Sequence, residues 1–275
     1  MTALHRLFRR FVAGTQRKLA ELFGRDLAGL DLLAIFIDGV VMGAHCILVA
    51  LGVDSEGRKY PLGLWEGTTE NKAVGQALLR NLIERGLSVE TARLFVIDGG
   101  KGLRAAIVAT FGEQALIQRC RVHKRRNVLD HLPQSERTFI GRKLDRAWAQ
   151  PDAERAEAEL RSLARHLETR HPGAAASLRE GLAETLTVTR LGLTPSLLPT
   201  FKSTNPIESM ISVGQRVTGN VKRWRDGQMA LRWTAAGLLE AQRQFRRSNG
   251  YRDLHILKLA LQAHREVVAS TRTVA

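Results

Sequence analysis

Residues 32–54 read LLAIFIDGVVMGAHCILVALGVD, and this stretch decides the fold class. Leu32 to Ile37 is an unbroken apolar run halted by Asp38 and Gly39. A strand covered on one face alternates apolar and polar residues, whereas one covered on both faces does not, so the run predicts a strand inside a two-sided sheet. A second run, His45 to Val53, is separated from a third, Lys59 to Trp65, by Asp54, Ser55, Glu56 and Gly57, a turn-forming cluster whose glycine tolerates positive φ. Together the three runs predict an antiparallel meander. The most apolar part, 40–53, is interrupted by Gly43 and His45 and falls short of the roughly 18 uninterrupted apolar residues of a membrane span, so neither a transmembrane helix nor a membrane partner is expected.

Downstream, Thr68 or Thr69 is placed to cap a helix carrying Val74, Ala77, Leu78, Leu79, Leu82 and Ile83, with a stop at Arg85 and Gly86. Leu94 to Ile97 predicts a fourth strand closed by Asp98, Gly99 and Gly100, Leu103 to Phe111 a helix, and Ala115 to Gln118 a fifth strand. Between about Val122 and Leu198 the strand signal disappears and Ala, Glu, Arg and Leu dominate, as expected of a helical module. Asn205, Pro206, Ile207 and Glu208 then open a new helix with proline in the first helical position, and helical spacing continues over 229–245 and 254–268. Upstream, Leu4, Leu7, Phe8, Phe11, Val12, Leu19, Leu22 and Phe23 recur at helical spacing between Arg6, Arg9, Arg10, Arg17 and Lys18. This basic amphipathic helix mimics an organellar transit peptide, but no small-residue cleavage site follows an apolar core, and it is read as part of the fold. The expected architecture is α/β, a mixed sheet with flanking helices and an all-helical insertion. Its segments are 1–30 (basic helix), 31–127 (first part of the α/β domain), 128–200 (helical insertion), 201–247 (closing helices) and 248–275 (C-terminal helix).

The 275 residues are 44% hydrophobic, which excludes disorder and collagen and suffices for one large domain or two small ones. Lys and Arg number 42 against 27 Asp and Glu, a net charge of +15 whose self-repulsion a polyanion would relieve, so nucleic acid is the leading partner. Cys46 and Cys120 are too few for a disulfide framework or an all-cysteine metal site, and a reducing, cytoplasmic setting is expected. Gly99, Gly100, Lys101 and Gly102 suggest a phosphate cradle, yet the P-loop spacing is absent and no nucleotide cofactor is expected.

Asp38 and Asp98 each end an apolar run and precede glycine. On adjacent parallel strands their carboxylates would lie within a few ångströms and repel unless a cation stood between them. Hard divalent cations such as Mg²⁺ take oxygen ligands and leave positions for phosphate, which suits phosphodiester chemistry; the competing reading is two turn-forming Asp-Gly pairs. Glu208 also has two readings. With Asn205 as N-cap it completes a capping box, and in the first helical turn it sits in the positive end of the helix dipole, which holds a carboxylate ionised for metal.

The runs IDG at 37–39, GVDSEGRKYPLGLWEGTTEN at 52–71, LFVIDGGKGLRAAI at 94–107, QRCRVHKRRNVL at 118–129 and STNPIES at 203–209 together resemble the Mutator-type transposases of bacterial insertion sequences. The resemblance extends from roughly Asp31 to Gly250. It implies an RNase H-like catalytic domain with the helical insertion before the last catalytic helix, and a DDE triad that transfers onto Asp38, Asp98 and Glu208. Two Mg²⁺ ions, replaceable by Mn²⁺, would bind there for strand cleavage and strand transfer on element ends and target DNA by a nucleoid-associated homo-oligomer. Members of the family usually carry a longer N-terminal DNA-binding region, of which residues 1–23 resemble a remnant. A truncated, non-catalytic DNA-binding derivative that acts as an inhibitor is therefore the alternative.

The family's C-x-x-H signature is matched by Cys120 and His123. From the residues alone they are either half of a zinc site lacking two ligands or packing beside the active site, with His123 near a phosphate or a reacting water. Around them Arg119, Arg121, Lys124, Arg125 and Arg126 form a basic cluster read as a phosphate-backbone contact, against the alternative of a solvated face. A second basic and aromatic stretch holds Arg216, Lys222, Arg223, Trp224, Arg225 and Arg232. Its guanidinium groups are expected on phosphates and Trp224 on a splayed base, whereas Trp233 is expected in the core and Glu70 as helix-dipole decoration.

Overall fold

The structure, a computed structural model, describes residues 3–67, 71–221 and 223–274. Five strands, β1 (Leu32–Met42), β2 (His45–Asp54), β3 (Lys59–Gly67), β4 (Arg93–Ile97) and β5 (Ala115–Arg119), form one sheet in the order β3-β2-β1-β4-β5. β1, β2 and β3 are the expected antiparallel meander, and β4 and β5 add in parallel beside β1. This mixed, open sheet is consistent with an RNase H-like fold.

Both faces of the sheet are covered, which is why the strands read as continuous apolar runs. On one face Leu32, Ile35, Ile37, Phe95 and Ile97 pack on α2 (Lys72–Glu84) and α3 (Lys101–Phe111) through Leu78, Leu82, Leu103 and Ile107. On the other, Phe36, Val40, Leu94 and Val96 share a core with α1 (Ala3–Phe23), α10 (Asn205–Thr218), α11 (Gly227–Arg243) and α12 (Leu254–Val274). Phe36 stacks on Phe201 at 6.0 Å between centroids. A third core, from Val128 to Leu186, belongs to the helices inserted between β5 and α10: α4 (Arg121–Asp130), α5 (Gln134–Trp148), α6 (Ala153–Glu168) and α7 (Pro172–Arg179), with short α8 (Thr187–Arg190) and α9 (Leu198–Phe201) completing the return.

Three local expectations are corrected. β1 does not stop at Ile37 but runs through Asp38 and Gly39 to Met42, because β2 pairs with it along its whole length, Asp38 opposite Val49 and Met42 opposite His45. The described cap of α2 is Asn71, whose side chain accepts from the Val74 amide; Thr68, Thr69 and Glu70 lie outside the described residues. Asn205 is the first residue of α10 rather than its cap, Pro206 the second, and the flanking residue is Thr204, so Asn205 and Glu208 form no capping box.

Candidate active site

Side chains alternate across a strand, so Asp38, two residues after Phe36 and two before Val40, faces the side of the sheet that α10 covers. Asp98 follows Val96 at the same interval. The parallel register pairs Ile37 with Ile97, which puts the two aspartates at neighbouring positions just beyond the last paired residues. Asp38 accepts from the Gly39 amide and Asp98 from the Gly100 amide, each at 2.9 Å.

The sheet side of α10 brings the third acid. Burial raises the Asp38 carboxyl to about 6, and the nearby Asp98 and Glu208 carboxylates push in the same direction against the opposing pull of the Gly39 amide and His123. Asp98, in the loop after β4, and Glu208, on α10, are therefore each within electrostatic reach of Asp38 on β1. Among the described residues no Lys or Arg forms an ion pair with any of them, and the one cationic group recorded at ion-pair distance is His123, with Nε2 4.0 Å from Glu208 Oε1. A set of acceptor-only oxygens that lacks a basic counter-ion fits a hard divalent cation.

The start of α4 completes the site. Cys120 is its N-cap, fully buried, and Sγ accepts from the His123 amide at 3.5 Å and the Thr204 amide at 3.4 Å. The Arg121 amide donates to the Lys202 carbonyl, so the segment before α10 is fastened to the start of α4. Burial pushes the Cys120 thiol up, but hydrogen bonds from His123 and Thr204 outweigh it and hold the thiol below its ordinary value. His123 is raised, first by its hydrogen bond with Cys120 and, beyond the opposing effect of burial, by the charges of Cys120, Glu208 and Asp38.

Thr204 was not singled out from the sequence. Its buried hydroxyl lies 2.5 Å from Glu208 Oε1, 3.3 Å from Cys120 Sγ and 3.4 Å from His123 Nδ1. A hydroxyl has one proton; donated to Glu208, it leaves the oxygen to accept from Cys120 or His123. Spacing carried the signal, since Thr204 and Glu208 are four residues apart at a helix start, where side chains meet.

The basic cluster divides. Arg119, Arg121 and Lys124 are not on a DNA-facing surface. Arg121 donates to the Thr185 and Trp148 carbonyls and to Thr189 Oγ1, Lys124 is 0% exposed and donates to the Ser177 and Glu180 carbonyls, and Arg119 pairs with Glu180 at 2.8 Å. These three bind the inserted helices to the sheet, and burial lowers Lys124 to about 8 and Arg121 to about 10. Arg125 is half-buried against Asp145, and Arg126 is exposed. In the second stretch Arg216, Arg223 and Arg225 are exposed, Trp224 is half-buried against the core that the sheet shares with α10 and α11 and against Gly43 in the β1–β2 turn, and Lys222 lies outside the described residues. Trp233 is also half-buried, stacked on Phe11 at 6.3 Å. No described helix is long and apolar enough to cross a membrane.

The sequence matches the family model "Transposase, Mutator family" over residues 12–248. It is 37% identical over 142 residues to the transposase for insertion sequence element IST2 of Acidithiobacillus ferrooxidans, covering 51% of this chain and 47% of that protein. Identity to the transposase for ISRM5 of Rhizobium meliloti (strain 1021) is 31% over 228 residues, 82% of this chain and 56% of the relative. For the transposase for IS1081 of Mycobacterium tuberculosis it is 30% over 225 residues, 82% and 53%. The chain spans about half the length of these curated relatives. With the family model matched over most of its residues, the chain belongs to the Mutator family of transposases.

Proposed function

We propose that this chain carries the catalytic part of an insertion-sequence transposase, a DDE enzyme that cleaves DNA at element ends and joins the freed 3′-hydroxyl to a target phosphodiester. The observation that supports the reading is that Asp98 and Glu208 both act on the buried Asp38 carboxyl, with no Lys or Arg ion-paired to any of the three among the described residues. These carboxylates would hold two Mg²⁺ ions, with Mn²⁺ able to replace them, which supply charge stabilisation at the entering and leaving oxygens of the phosphodiester. The chain's own groups have separate tasks. Thr204 orients the Glu208 carboxylate, and His123, biased toward its protonated form, offers a donor to a phosphate oxygen. Arg126, Arg223 and Arg225 present exposed guanidinium groups to the DNA backbone.

Exchange of one phosphodiester for another needs no nucleotide energy source. The test is a cleavage and strand-transfer assay on DNA with element ends, comparing the natural chain with Asp38→Asn, Asp98→Asn and Glu208→Gln. Each variant is expected to lose both products while still binding DNA. Undiminished joining by any of them removes the triad assignment, and salt-sensitive DNA binding without cleavage by the natural chain supports the non-catalytic derivative instead.

A further inference from the structure

Cys120 has an arrangement that a small buried hydrophobe does not require. Two backbone amides and the Thr204 hydroxyl lie against its sulfur, which also caps the N-terminus of α4. Amide donors and the positive end of a helix favour thiolate over thiol. In front of it stand an imidazole and a carboxylate: one ligand atom each from Cys120, His123 and Glu208 lie within 4.8 Å of one another.

We propose that Cys120, His123 and Glu208 form a binding site for a single soft or borderline divalent cation, of which zinc is the type, distinct in chemistry from the all-oxygen site and sharing Glu208 with it. A set that mixes sulfur and nitrogen with one oxygen donor suits zinc, whereas magnesium takes oxygen donors alone. Three protein ligands leave the fourth tetrahedral position for water. Donor atoms around a tetrahedral zinc stand roughly 3.3–3.5 Å apart, so the observed cluster has to contract by about an ångström, a movement of side-chain ends. Thr204 would serve as the outer partner of both ligands, its amide donating to Cys120 and its hydroxyl to Glu208. Binding needs the thiolate and the neutral imidazole, so the Cys120 thiol proton and the proton of His123 where it is charged are both released to solvent.

The consequence for activity rests on the proposed DDE reading: zinc on this site engages Glu208, so it should inhibit magnesium-dependent cleavage, with recovery on chelation. The binding itself does not rest on that reading and is tested without DNA. Cobalt(II), titrated into the full chain as a spectroscopic stand-in, is expected to give a thiolate-to-cobalt charge-transfer band that saturates at one equivalent and is displaced by zinc. Cys120→Ser should abolish the band, His123→Ala and Glu208→Gln should weaken cobalt binding at least tenfold, and Cys46→Ser should leave it unchanged. Absence of the band in the natural chain overturns the proposal, as does a band that survives Cys120→Ser or vanishes with Cys46→Ser. A full band in a chain that neither cleaves nor joins DNA retains this site and removes only the DDE reading.

Discussion

Asp38 is a carboxyl the fold would rather keep protonated. Its folded-state pKa of about 6 lies above the ordinary 3.8, because burial and two neighbouring acids disfavour the charge. This group therefore favours the folded state fully below pH 4, and the contribution is lost as the pH climbs through 6, a difference of about 3 kcal/mol at most. Asp38→Asn is expected to melt at higher temperature than the natural chain at pH 7 without added metal, with the gap closing near pH 4, while the proposed strand cleavage is lost. Thermal denaturation across that pH range measures it, and a variant that melts lower at pH 7 contradicts the electrostatic account. Gly99 makes a second residue-scale case. Its φ is +115°, and a Cβ there would lie 2.1 Å from Nε of Arg119, whose guanidinium packs across the backbone next to Asp98. Gly99→Ala combines an unfavourable backbone conformation with a displaced buried arginine, and should cost about 2–4 kcal/mol in chemical denaturation.

At the scale of elements, two joints hold the acids in register. One is the crossing of α10 over α11, where a Cβ on Gly237 would lie 2.7 Å from the Gly214 Cα, so that only glycine permits the approach that seats Glu208 over the sheet. The other is the clamp of Arg121 on the Thr185 and Trp148 carbonyls, which fixes α4, and with it Cys120 and His123 beside Glu208, to the rest of the inserted helices. Arg121→Ala leaves buried carbonyls unsatisfied and should destabilise by about 2–4 kcal/mol, with faster protease cleavage within 134–190 as the local readout. How these elements could be read in advance differs with their physics. The five strands were legible because burial on both faces writes an unbroken apolar run. The extension of β1 past Asp38 was not, because it is imposed by pairing with β2 rather than by local composition. The burial of Arg121 and Lys124 was misread as surface charge because most of their partners lie more than 50 residues further along. A trace of it was present, since Arg121, Lys124 and Val128 fall on one helical face and Val128 is core. Asp38 and Asp98 were singled out as Asp-Gly pairs after apolar runs, although only Asp98 lies beyond the end of its strand, whereas for Thr204 the only trace in the sequence was its spacing of four from Glu208, and its contacts with Cys120 and His123 needed α4 and α10 brought together.

Over the whole molecule, the charge of +15 overstates what is available to DNA, because part of it is consumed inside the fold. Arg119, Arg121 and Lys124 are buried, and Arg125 is engaged with Asp145. Exposed guanidinium groups include Arg126, beyond His123 on α4, and Arg223 and Arg225, on either side of a tryptophan that packs against the β1–β2 turn. Phosphate contacts release counterions, so each one contributes about 0.9 to the slope of log affinity against log salt concentration. Replacing Arg126, Arg223 and Arg225 together by alanine is therefore expected to lower that slope by about 3 and to weaken binding evenly across unrelated DNA sequences. Lys124→Met, which removes one unit of formal charge from the interior, should leave the slope unchanged wherever the chain remains folded. Binding isotherms over a range of salt concentrations separate the two variants. Equal slopes for the triple variant and the natural chain would move the DNA path to another face, and a reduced slope for Lys124→Met would mean that net charge, rather than the exposed arginines, governs the encounter.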